Sequence, residues 1–295
     1  MSLAVLLGPA ADSLLASCPI EPQVYRRSRS ELDEQITLGL MDTYIDHGLS
    51  IPSFTAAVKD GRAVHPGRFS KNGEMLPGRL RALFDDGHTI NLRHVQRTVP
   101  YLAEVCRSIR EETGYSLHVS AILTPAAQRG LRHHWDPFTA VVTQMHGRKV
   151  WPIWAPEVEL PVDDYLDSPM MWTAEMQERW DSSDPYAEFD LGPGDTLVLP
   201  RGWVHSPHNT EGEDTSFHLT FALRERTVLD LAEGLVAAAL PRPEFRAGIA
   251  PNGLKRETLA ETLQDVRRLL VSYLTHADTS VSAEVLHASL IGKLV

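Results

Sequence analysis

The sequence contains few cysteines and no excess of positive charge. Among 295 residues only Cys18 and Cys106 are cysteines, and neither lies in a Cys-x-x-Cys spacing. A disulfide framework and a zinc finger are therefore not expected. The 28 Lys and Arg residues are outnumbered by 39 Asp and Glu residues, which gives a net charge of -11. This balance argues against broad, charge-driven binding to nucleic acid or to an anionic membrane.

Long hydrophobic runs are also missing, and no stretch has the length of a membrane-spanning helix. Residues 1–17 lack the basic start of a secretory signal, and Asp12 interrupts their apolar positions. We therefore expect a cytoplasmic protein with neither a membrane nor a nucleic-acid partner. The densest basic cluster is Arg26, Arg27 and Arg29, which we interpret as a solvated loop that enters the fold.

The hydrophobic content of 43% is enough for a sizeable core, and we expect one large domain with helical additions. Residues 1 to about 115 are predicted to be mainly helical and irregular. The clearest helices there are Leu80–Phe84 and Val99–Thr113, and His88–Leu92 between them is predicted to be a short strand.

From Tyr115 to about Leu223 the pattern changes to short strands, a density that is typical of a barrel or sandwich. The predicted strands are Ser116–Leu123, Thr139–Met145, Lys149–Trp154, Thr196–Leu199 and Ser216–Leu223. Helices are predicted again after residue 226, at Val228–Ala239, Leu254–Leu274 and Val281–Leu290. The fold class is therefore mainly β with helical additions.

The segment from Pro161 to Pro185 interrupts the strand region and is rich in acidic residues. Long insertions in compact domains often serve a function. Two interpretations stay open: a surface excursion with a short helix near Ala174–Trp180, or a lid that covers substrate. Asp163, Asp164 and Asp167 would favour a cationic partner at the barrel mouth, although acidic loops are usually only solvated.

The most informative motif is His134-Trp135-Asp136, which is followed much later by His205 in Leu-Pro-Arg-Gly-Trp-Val-His. In an extended strand, residues two apart point to the same side, so His134 and Asp136 can hold one ion while Trp135 faces away. Turn signals around a short apolar run bring His205 in as the third ligand. Two histidines and one carboxylate form the ligand set of non-haem iron(II) oxygenases.

His146-Gly147 resembles a two-residue turn, so we predict a hairpin that pairs Gln144 with Lys149. In that register Lys149 points to the same side as the metal motif. A lysine inside an apolar barrel is costly unless an anion meets it. The anion would be a dicarboxylate cosubstrate; alternatively, Lys149 reaches solvent at the barrel rim.

On the last predicted strand, Ser216, His218, Thr220 and Ala222 share one face. Thr220 has a hydroxyl to offer the cosubstrate, or it simply packs. His218 either touches metal-bound water or substrate, or it is a buried, hydrogen-bonded histidine.

The remaining histidines near the motif, His133, His146 and His208, are predicted to be structural or exposed. A zinc hydrolase would also use His and carboxylate ligands with an open position. No Glu stands beside the pair as in His-Glu-x-x-His, which makes the hydrolase a minor alternative.

Four segments resemble the JmjC-type cupin oxygenases, specifically the ribosomal-oxygenase group of the 2-oxoglutarate- and iron(II)-dependent dioxygenases. They are His134–Asp136, Gln144–Trp151, Leu191–His205 and Ser216–Thr220. Their order, spacing and flanking turns agree with that family, and the resemblance covers roughly residues 15 to 245.

The resemblance implies a double-stranded β-helix of the cupin or jelly-roll type, flanked by N-terminal helices. It implies Fe(II) held by His134, Asp136 and His205, with O2 as oxidant and the distal carboxylate of 2-oxoglutarate paired to Lys149. Thr220 matches a position that hydrogen-bonds the cosubstrate in relatives. The helices after about residue 227 resemble a dimerisation segment, so a homodimer is expected, with residues 1–226 as the catalytic domain and 227–295 as the helical region.

Three departures from the family pattern affect the expected site and substrate. Relatives often carry an aromatic residue and an amide where this chain has Ile122 and Ser120, so Ser120 is a candidate cosubstrate contact in a changed environment. Thr139 stands where an acidic residue is common. The residues up to Val295 leave little room for a full winged helix, which puts a ribosomal-protein substrate in doubt.

The expected activity is hydroxylation of an amino-acid side chain in a protein, peptide or carrier-bound substrate. A biosynthetic hydroxylase of a free amino acid or secondary metabolite, with the same chemistry, is the alternative. A different class is a non-redox cupin that binds metal as a sensor or isomerase. Lys149 discriminates between these classes, because such a cupin has no need of a dicarboxylate clamp.

Overall fold

The computed structural model describes residues 3–162, 173–280 and 283. The chain divides into two compact units, residues 1–225 and 226–295. In the first unit the helices are α1 Ala4–Leu7, α2 Ala11–Ala16, α3 Glu31–Gln35, α4 Leu38–His47, α5 Arg79–Asp85, α6 Pro100–Thr113 and α7 Ala174–Ser182. None of the helices in the described residues combines the length and apolar composition needed to cross a bilayer.

Strands make up most of the rest of the first unit. They are β1 Gln23–Arg26, β2 Thr55–Lys59, β3 Arg62–Ala63, β4 Ser70–Lys71, β5 Glu74–Met75, β6 Thr89–Leu92, β7 Ser116–Thr124, β8 Gln128–Arg129, β9 Thr139–His146, β10 Lys149–Trp154, β11 Ala187–Leu191, β12 Asp195–Leu199, β13 Val204–His205, β14 His208–Asn209 and β15 Ser216–Arg224.

Two of the sheets position the site. The larger has eight strands among the described residues, in the order β1-β12-β9-β15-β7-β6-β2-β3. The smaller runs β11-β10-β14-β8, and β13 pairs with β10. Every pairing in these sheets is antiparallel. The prediction of a mainly β fold with helical additions is confirmed.

Each face of the larger sheet contributes to a different core. Odd-numbered residues of β15, such as Phe217, Leu219 and Phe221, pack in the core that includes the helices. The opposite faces of β9 and β12 meet β10 in a second core, where Ala140 and Val142 lie with Trp151 and Ile153. This second core lies between the strands of the barrel. We call the space between these strands the barrel interior. Strand alternation therefore decides which side chains enter it.

The predicted hairpin at His146-Gly147 is wrong. Gln144 lies opposite His218 of β15, whereas Lys149 lies opposite Leu191 of β11. The chain passes from one sheet to the other at this point instead of folding back on itself. Gly147 adopts a φ of 61°, and a Cβ there would lie 2.3 Å from the Thr215 carbonyl oxygen. A glycine is thus required for the crossing rather than for a two-residue turn.

The N-terminal part contains more strand than predicted. The helices at Arg79–Asp85 and Pro100–Thr113 agree with expectation, with Pro100 in the first turn and Gly114 in the left-handed conformation after the last. However, β1 extends the larger sheet at β12, and β2 extends it at β6. Long-range pairing overrides the weak local pattern of these segments.

The second unit consists of helices over its described part: α8 Val228–Ala237 and α9 Leu259–His276. Thr227 caps α8 through a capping box with Asp230. The predicted helix 281–290 falls outside the described residues, apart from residue 283. Helix α8 has no fully buried residue, and Val228, Leu229 and Leu240 are all more than 60% exposed.

Candidate metal centre

His134, Asp136 and His205 come together at one point of the barrel. Ligand atoms of the three side chains all lie within 4.8 Å of one another. His205 Nε2 is 3.7 Å from an Asp136 carboxylate oxygen, and the two imidazole centroids are 4.1 Å apart. These are the three residues that the sequence predicts as metal ligands.

The backbone holds the two histidines side by side. His134 and His205 form an isolated antiparallel bridge, in which each backbone N–H donates to the other residue's carbonyl, at 2.9 and 2.7 Å. Directly opposite residues of an antiparallel pair project to the same face. Asp136 is tied in by its carbonyl, which accepts from the Gly202 N–H at 2.9 Å.

Each of these two histidines is also oriented by the carbonyl two residues before it. His134 Nδ1 lies 2.8 Å from the Arg132 carbonyl, and His205 Nδ1 lies 3.0 Å from the Trp203 carbonyl. A carbonyl only accepts, so each Nδ1 carries the proton and each Nε2 keeps its lone pair. Burial lowers the pKa of His205 well below its usual value, which keeps that imidazole neutral. Both rings are thus prepared to bind a cation through Nε2.

Large aromatic side chains pack behind residues 133–136, the segment that contains His134 and Asp136. We call this segment the metal loop. Trp135 and Val204, the neighbours of the ligands, pack with Trp180 of α7 in a separate core. The Trp135 and Trp180 rings meet edge to face at 6.4 Å, and the Gln177 amide of α7 donates to the His133 carbonyl at 3.3 Å. The predicted helix near Ala174–Trp180 is therefore present as α7, and it packs against the metal loop. Residues 163–172 of the insertion lie outside the described residues.

Lys149 lies inside the barrel. Its side chain is 2% exposed, and Nζ donates to the Thr124 hydroxyl at 2.6 Å. Burial lowers the pKa of Lys149 to about 7. Among the described residues no carboxylate forms an ion pair with it. A buried lysine with only a hydroxyl as partner fits the distal carboxylate of a dicarboxylate, because such an anion would supply the missing counter-charge.

Ser120 and Thr220 face each other across β7 and β15. On the same face of the two strands, the next opposing pair is Ile122 and His218. The pair after that is Thr124 and Ser216. The interior therefore runs from Lys149 and Thr124 past His218 to the two hydroxyls. This order puts both predicted contacts on the wall that a cosubstrate held by Lys149 would follow.

Trp151 lies between His205 of the triad and His218, a contact that the sequence does not predict. Its ring stacks on His205 at 5.7 Å and meets His218 edge to face at 5.4 Å. The Trp151 indole N–H and His218 Nδ1 are both buried without a hydrogen-bond partner. Unsatisfied buried polar atoms are costly, so these two atoms beside the triad also fit a polar ligand in this space. Strand alternation could have revealed Trp151, since it lies two residues from Lys149.

The three histidines that are predicted to be structural or exposed lie outside the triad. His133 is buried between Trp154 and Trp180, His146 is exposed at the end of β9, and His208 lies in β14.

The interpretation of Arg26, Arg27 and Arg29 as a solvated loop needs a correction for Arg27. Its buried side chain forms a two-pronged ion pair with Asp33, at 2.5 and 2.6 Å.

Thr139, at the position where an acidic residue is common in the resembled family, lies buried and hydrogen-bonds the Glu225 carboxylate. Glu225, which follows the end of β15, therefore supplies an acidic group next to Thr139. The interaction is structural, because Thr139 points away from the interior series that includes Ala140 and Val142.

Comparisons with known proteins show which sequences this chain resembles. Residues 91–231 match the family model described as "JmjC domain". The bifunctional lysine-specific demethylase and histidyl-hydroxylase NO66 of Drosophila pseudoobscura pseudoobscura is 27% identical over 219 residues, covering 68% of this chain and 22% of the relative. Ribosomal oxygenase 1 of Rattus norvegicus is 28% identical over 185 residues, covering 60% of this chain and 30% of the relative. This chain thus spans about a fifth to a third of the length of such relatives.

Solved structures show the same fold. The structure of YcfD, a ribosomal oxygenase from Escherichia coli, in complex with cobalt and 2-oxoglutarate has a TM-score of 0.56 and 15% identity, covering 92% of this chain and 68% of that one. The complex of YcfD with cobalt and succinic acid has a TM-score of 0.55 and 13% identity, with the same coverage. At this identity the likeness establishes a shared fold alone.

Proposed function

We propose that this chain, whose residues 91–231 match the JmjC domain model, is a 2-oxoglutarate- and iron(II)-dependent oxygenase. Its reaction is hydroxylation of an unactivated C–H bond of an amino-acid side chain, in a protein, peptide or carrier-bound substrate. The names of the relatives, ribosomal oxygenase and histidyl-hydroxylase, support this reaction type. The observation that carries the proposal is the buried Lys149 on the interior wall that also includes the metal triad.

When bound, iron(II) with 2-oxoglutarate and O2 supplies the oxidation of the C–H bond, while the protein supplies binding and orientation. His134 and His205 hold the ion through their Nε2 atoms, and Asp136 adds the negative charge that favours a divalent cation. Lys149 donates to the distal carboxylate of the cosubstrate, and Ser120 and Thr220 offer hydroxyls along its path. Trp151 excludes water beside His205.

Succinate formation by the purified protein with iron(II), ascorbate, O2 and 2-oxoglutarate tests the proposal. We expect turnover in the wild type, its loss in His134→Ala, and its recovery in Lys149→Ala only at much higher 2-oxoglutarate concentration. His146→Ala and Lys71→Ala are matched controls, because both remove exposed side chains away from the triad. A wild type that neither forms succinate nor binds 2-oxoglutarate in the presence of metal would refute the proposal in favour of a non-redox cupin.

We also propose that residues 227–295 mediate a homodimer. Exposed apolar side chains are concentrated in this unit, including Leu229, Leu240 and Val271. Large contiguous apolar surfaces on soluble proteins mark interaction sites. A second copy of the chain satisfies such a surface through a self-complementary interface, which is the commonest arrangement in homo-oligomers.

A further inference from the structure

A ladder of four rings lies in the first unit next to the metal motif. Phe54 meets His94 at 4.4 Å, His94 stacks on His118 at 4.5 Å and 20°, and His118 meets Phe138 edge to face at 5.9 Å. We call these four residues the ring ladder. No motif in the sequence indicates it, because its members come from separate loops and strands.

The ring ladder ends inside the barrel, close to the candidate metal centre. Phe138 packs against the interior core and follows Asp136 by two residues. His118 lies opposite Ala222 on β15, in the same alternation as Ser120 and Thr124 on β7. The ladder therefore continues the interior wall in the direction away from Lys149.

Positive charge surrounds the ring ladder, in a protein whose net charge is -11. The Arg97 guanidinium lies over Phe54 at 4.9 Å, and that of Arg224 lies over Phe138 at 5.2 Å. The charged groups that act on His94 are Arg97, Arg224 and Arg93, and all are cationic. Among the described residues, neither Arg93 nor Arg97 forms an ion pair.

His118 is neutral and has a proton to donate. Arg224 Nη1 lies 3.0 Å from His118 Nδ1, and because a guanidinium only donates, Nδ1 must accept. Burial, together with the nearby His94, Arg224 and Arg93, lowers the pKa of His118 to about 3. The ring is therefore the neutral tautomer with its proton on Nε2. It is a hydrogen-bond donor in a region of positive potential.

The backbone at His94 fixes the position of its ring in the ladder. His94 adopts a left-handed conformation with φ 55° and ψ 34°, which is uncommon for a residue other than glycine. Here the strained turn presents the imidazole to both Phe54 and His118.

The cosubstrate cannot be the partner of this positive region. From Thr124, the hydroxyl partner of Lys149, to His118 the strand extends six residues, or about 20 Å at the usual strand rise. A five-carbon dicarboxylate is no longer than roughly three residues of extended chain, about 10 Å. A ligand held by Lys149 therefore ends well before His118. His118 therefore lies on the part of this wall that such a ligand does not reach.

We propose that the ring ladder, with Arg93, Arg97 and Arg224, binds an anionic group of the substrate, either a carboxylate or a phosphate ester. This inference rests on the proposed function and narrows its substrate class. The anion accepts hydrogen bonds from His118 and the guanidinium groups, and the rings contact the atoms next to it. With the anion held there, the distance to the metal triad selects which carbon of the substrate is hydroxylated.

The test uses the full chain labelled with ¹⁵N-histidine and follows the imidazole signals of His94 and His118. These signals are assigned with His94→Asn and His118→Asn variants. Inorganic phosphate and acetate are titrated separately, and the two arms distinguish a phosphate-bearing substrate from a carboxylate-bearing one. Because only signals of the ring ladder are read, an anion that binds at Lys149 does not interfere.

We expect saturable shifts of both signals with at least one of the two anions. In the double variant Arg93→Gln and Arg97→Gln, the dissociation constant should be about tenfold weaker, as expected for lost hydrogen bonds to charged groups. Arg62→Gln is the matched control, because it removes an exposed arginine of β3 and should leave the constant unchanged.

Two results would overturn the inference: no shift with either anion, or equal weakening by Arg62→Gln. Binding of 2-oxoglutarate, measured by calorimetry with zinc(II) in place of iron(II), separates this failure from failure of the proposed function. If 2-oxoglutarate binds and neither anion shifts the ring ladder, only the inference fails. If 2-oxoglutarate does not bind, the proposed function fails as well.

Discussion

Replacement of Lys149 by methionine should stabilise the protein in the absence of cosubstrate. The lysine is buried, its hydrogen-bond partner is the Thr124 hydroxyl, and its pKa is lowered from 10.5 to about 7 by burial. Methionine has a similar volume and no charge to desolvate. Thr124 keeps a partner after the change, since its oxygen also accepts from the Thr89 hydroxyl at 3.1 Å.

The pKa of Lys149 sets the size and the pH dependence of this gain. One pKa unit corresponds to about 1.4 kcal/mol, so the shift from 10.5 to about 7 limits the gain to at most about 5 kcal/mol. At pH below about 7 the lysine is protonated in both the folded and the unfolded state, and the penalty on the folded state is complete. As pH rises from 7 towards 10.5 the folded lysine is neutral, and the penalty decreases.

Urea unfolding of the metal-free protein at pH 6 and pH 9 measures this effect. We expect Lys149→Met to raise the free energy of unfolding by about 2–5 kcal/mol at pH 6 and by clearly less at pH 9. Lys71→Met is the control, because Lys71 is exposed and its replacement should change stability by less than about 0.5 kcal/mol.

A Lys149→Met protein that is less stable than the wild type at pH 6 would refute the reasoning. So would a gain that is equal at both pH values, since the desolvated charge would then not be its cause. The same variant should lose 2-oxoglutarate binding, so that stability and ligand affinity change in opposite directions.

Three further predictions concern other parts of the site and the second unit. Binding of 2-oxoglutarate with zinc(II) at pH 8.5 should take up about one proton, because Lys149, which is neutral at that pH, must be charged to hold the dianion. Calorimetry in two buffers of different ionisation enthalpy measures the proton uptake. An absence of uptake would contradict the assignment of Lys149. Trp180→Ala should weaken zinc affinity about tenfold in addition to its cost in stability, whereas Phe69→Ala, a buried change in the other core, should lower stability only. Leu229→Glu should shift the protein to monomer in sedimentation experiments, and Leu49→Glu, which is also exposed but lies in the first unit, should not.

Strand alternation and turn residues were enough to predict most strands of the barrel and the proximity of His134, Asp136 and His205. His134 and Asp136 lie two residues apart, and the turns before His205 return the chain to them, so local rules carry the information. Lys149 was predicted to lie inside for a reason that did not hold, since its strand pairs with β11 and not with β9. The predicted side is still correct, because every second residue of β10 points to the same side whether the strand pairs with β9 or with β11. Lys149, Trp151 and Ile153 therefore share one face in both cases.

Long-range features could not be predicted from the sequence. One partner of β10 is β11, which follows an insertion, and no local pattern encodes that pairing. The ion pair of Arg27 with Asp33 depends on how α3 packs, and the short spacing between them is uninformative by itself. The ring ladder joins Phe54, His94 and Phe138, which are brought together only when the sheet is complete.

The backbone bridge between His134 and His205 has a consequence for how the protein folds. Its two hydrogen bonds close a loop of chain that contains β9, β10, β11 and β12. A loop of this length is entropically costly to close, so contacts of this kind form after more local ones. A metal ion that binds both imidazoles adds its binding free energy to the folded state alone. The ion therefore acts on unfolding as a reversible cross-link between the two ends of the barrel's central segment, and its removal should accelerate the opening of this segment.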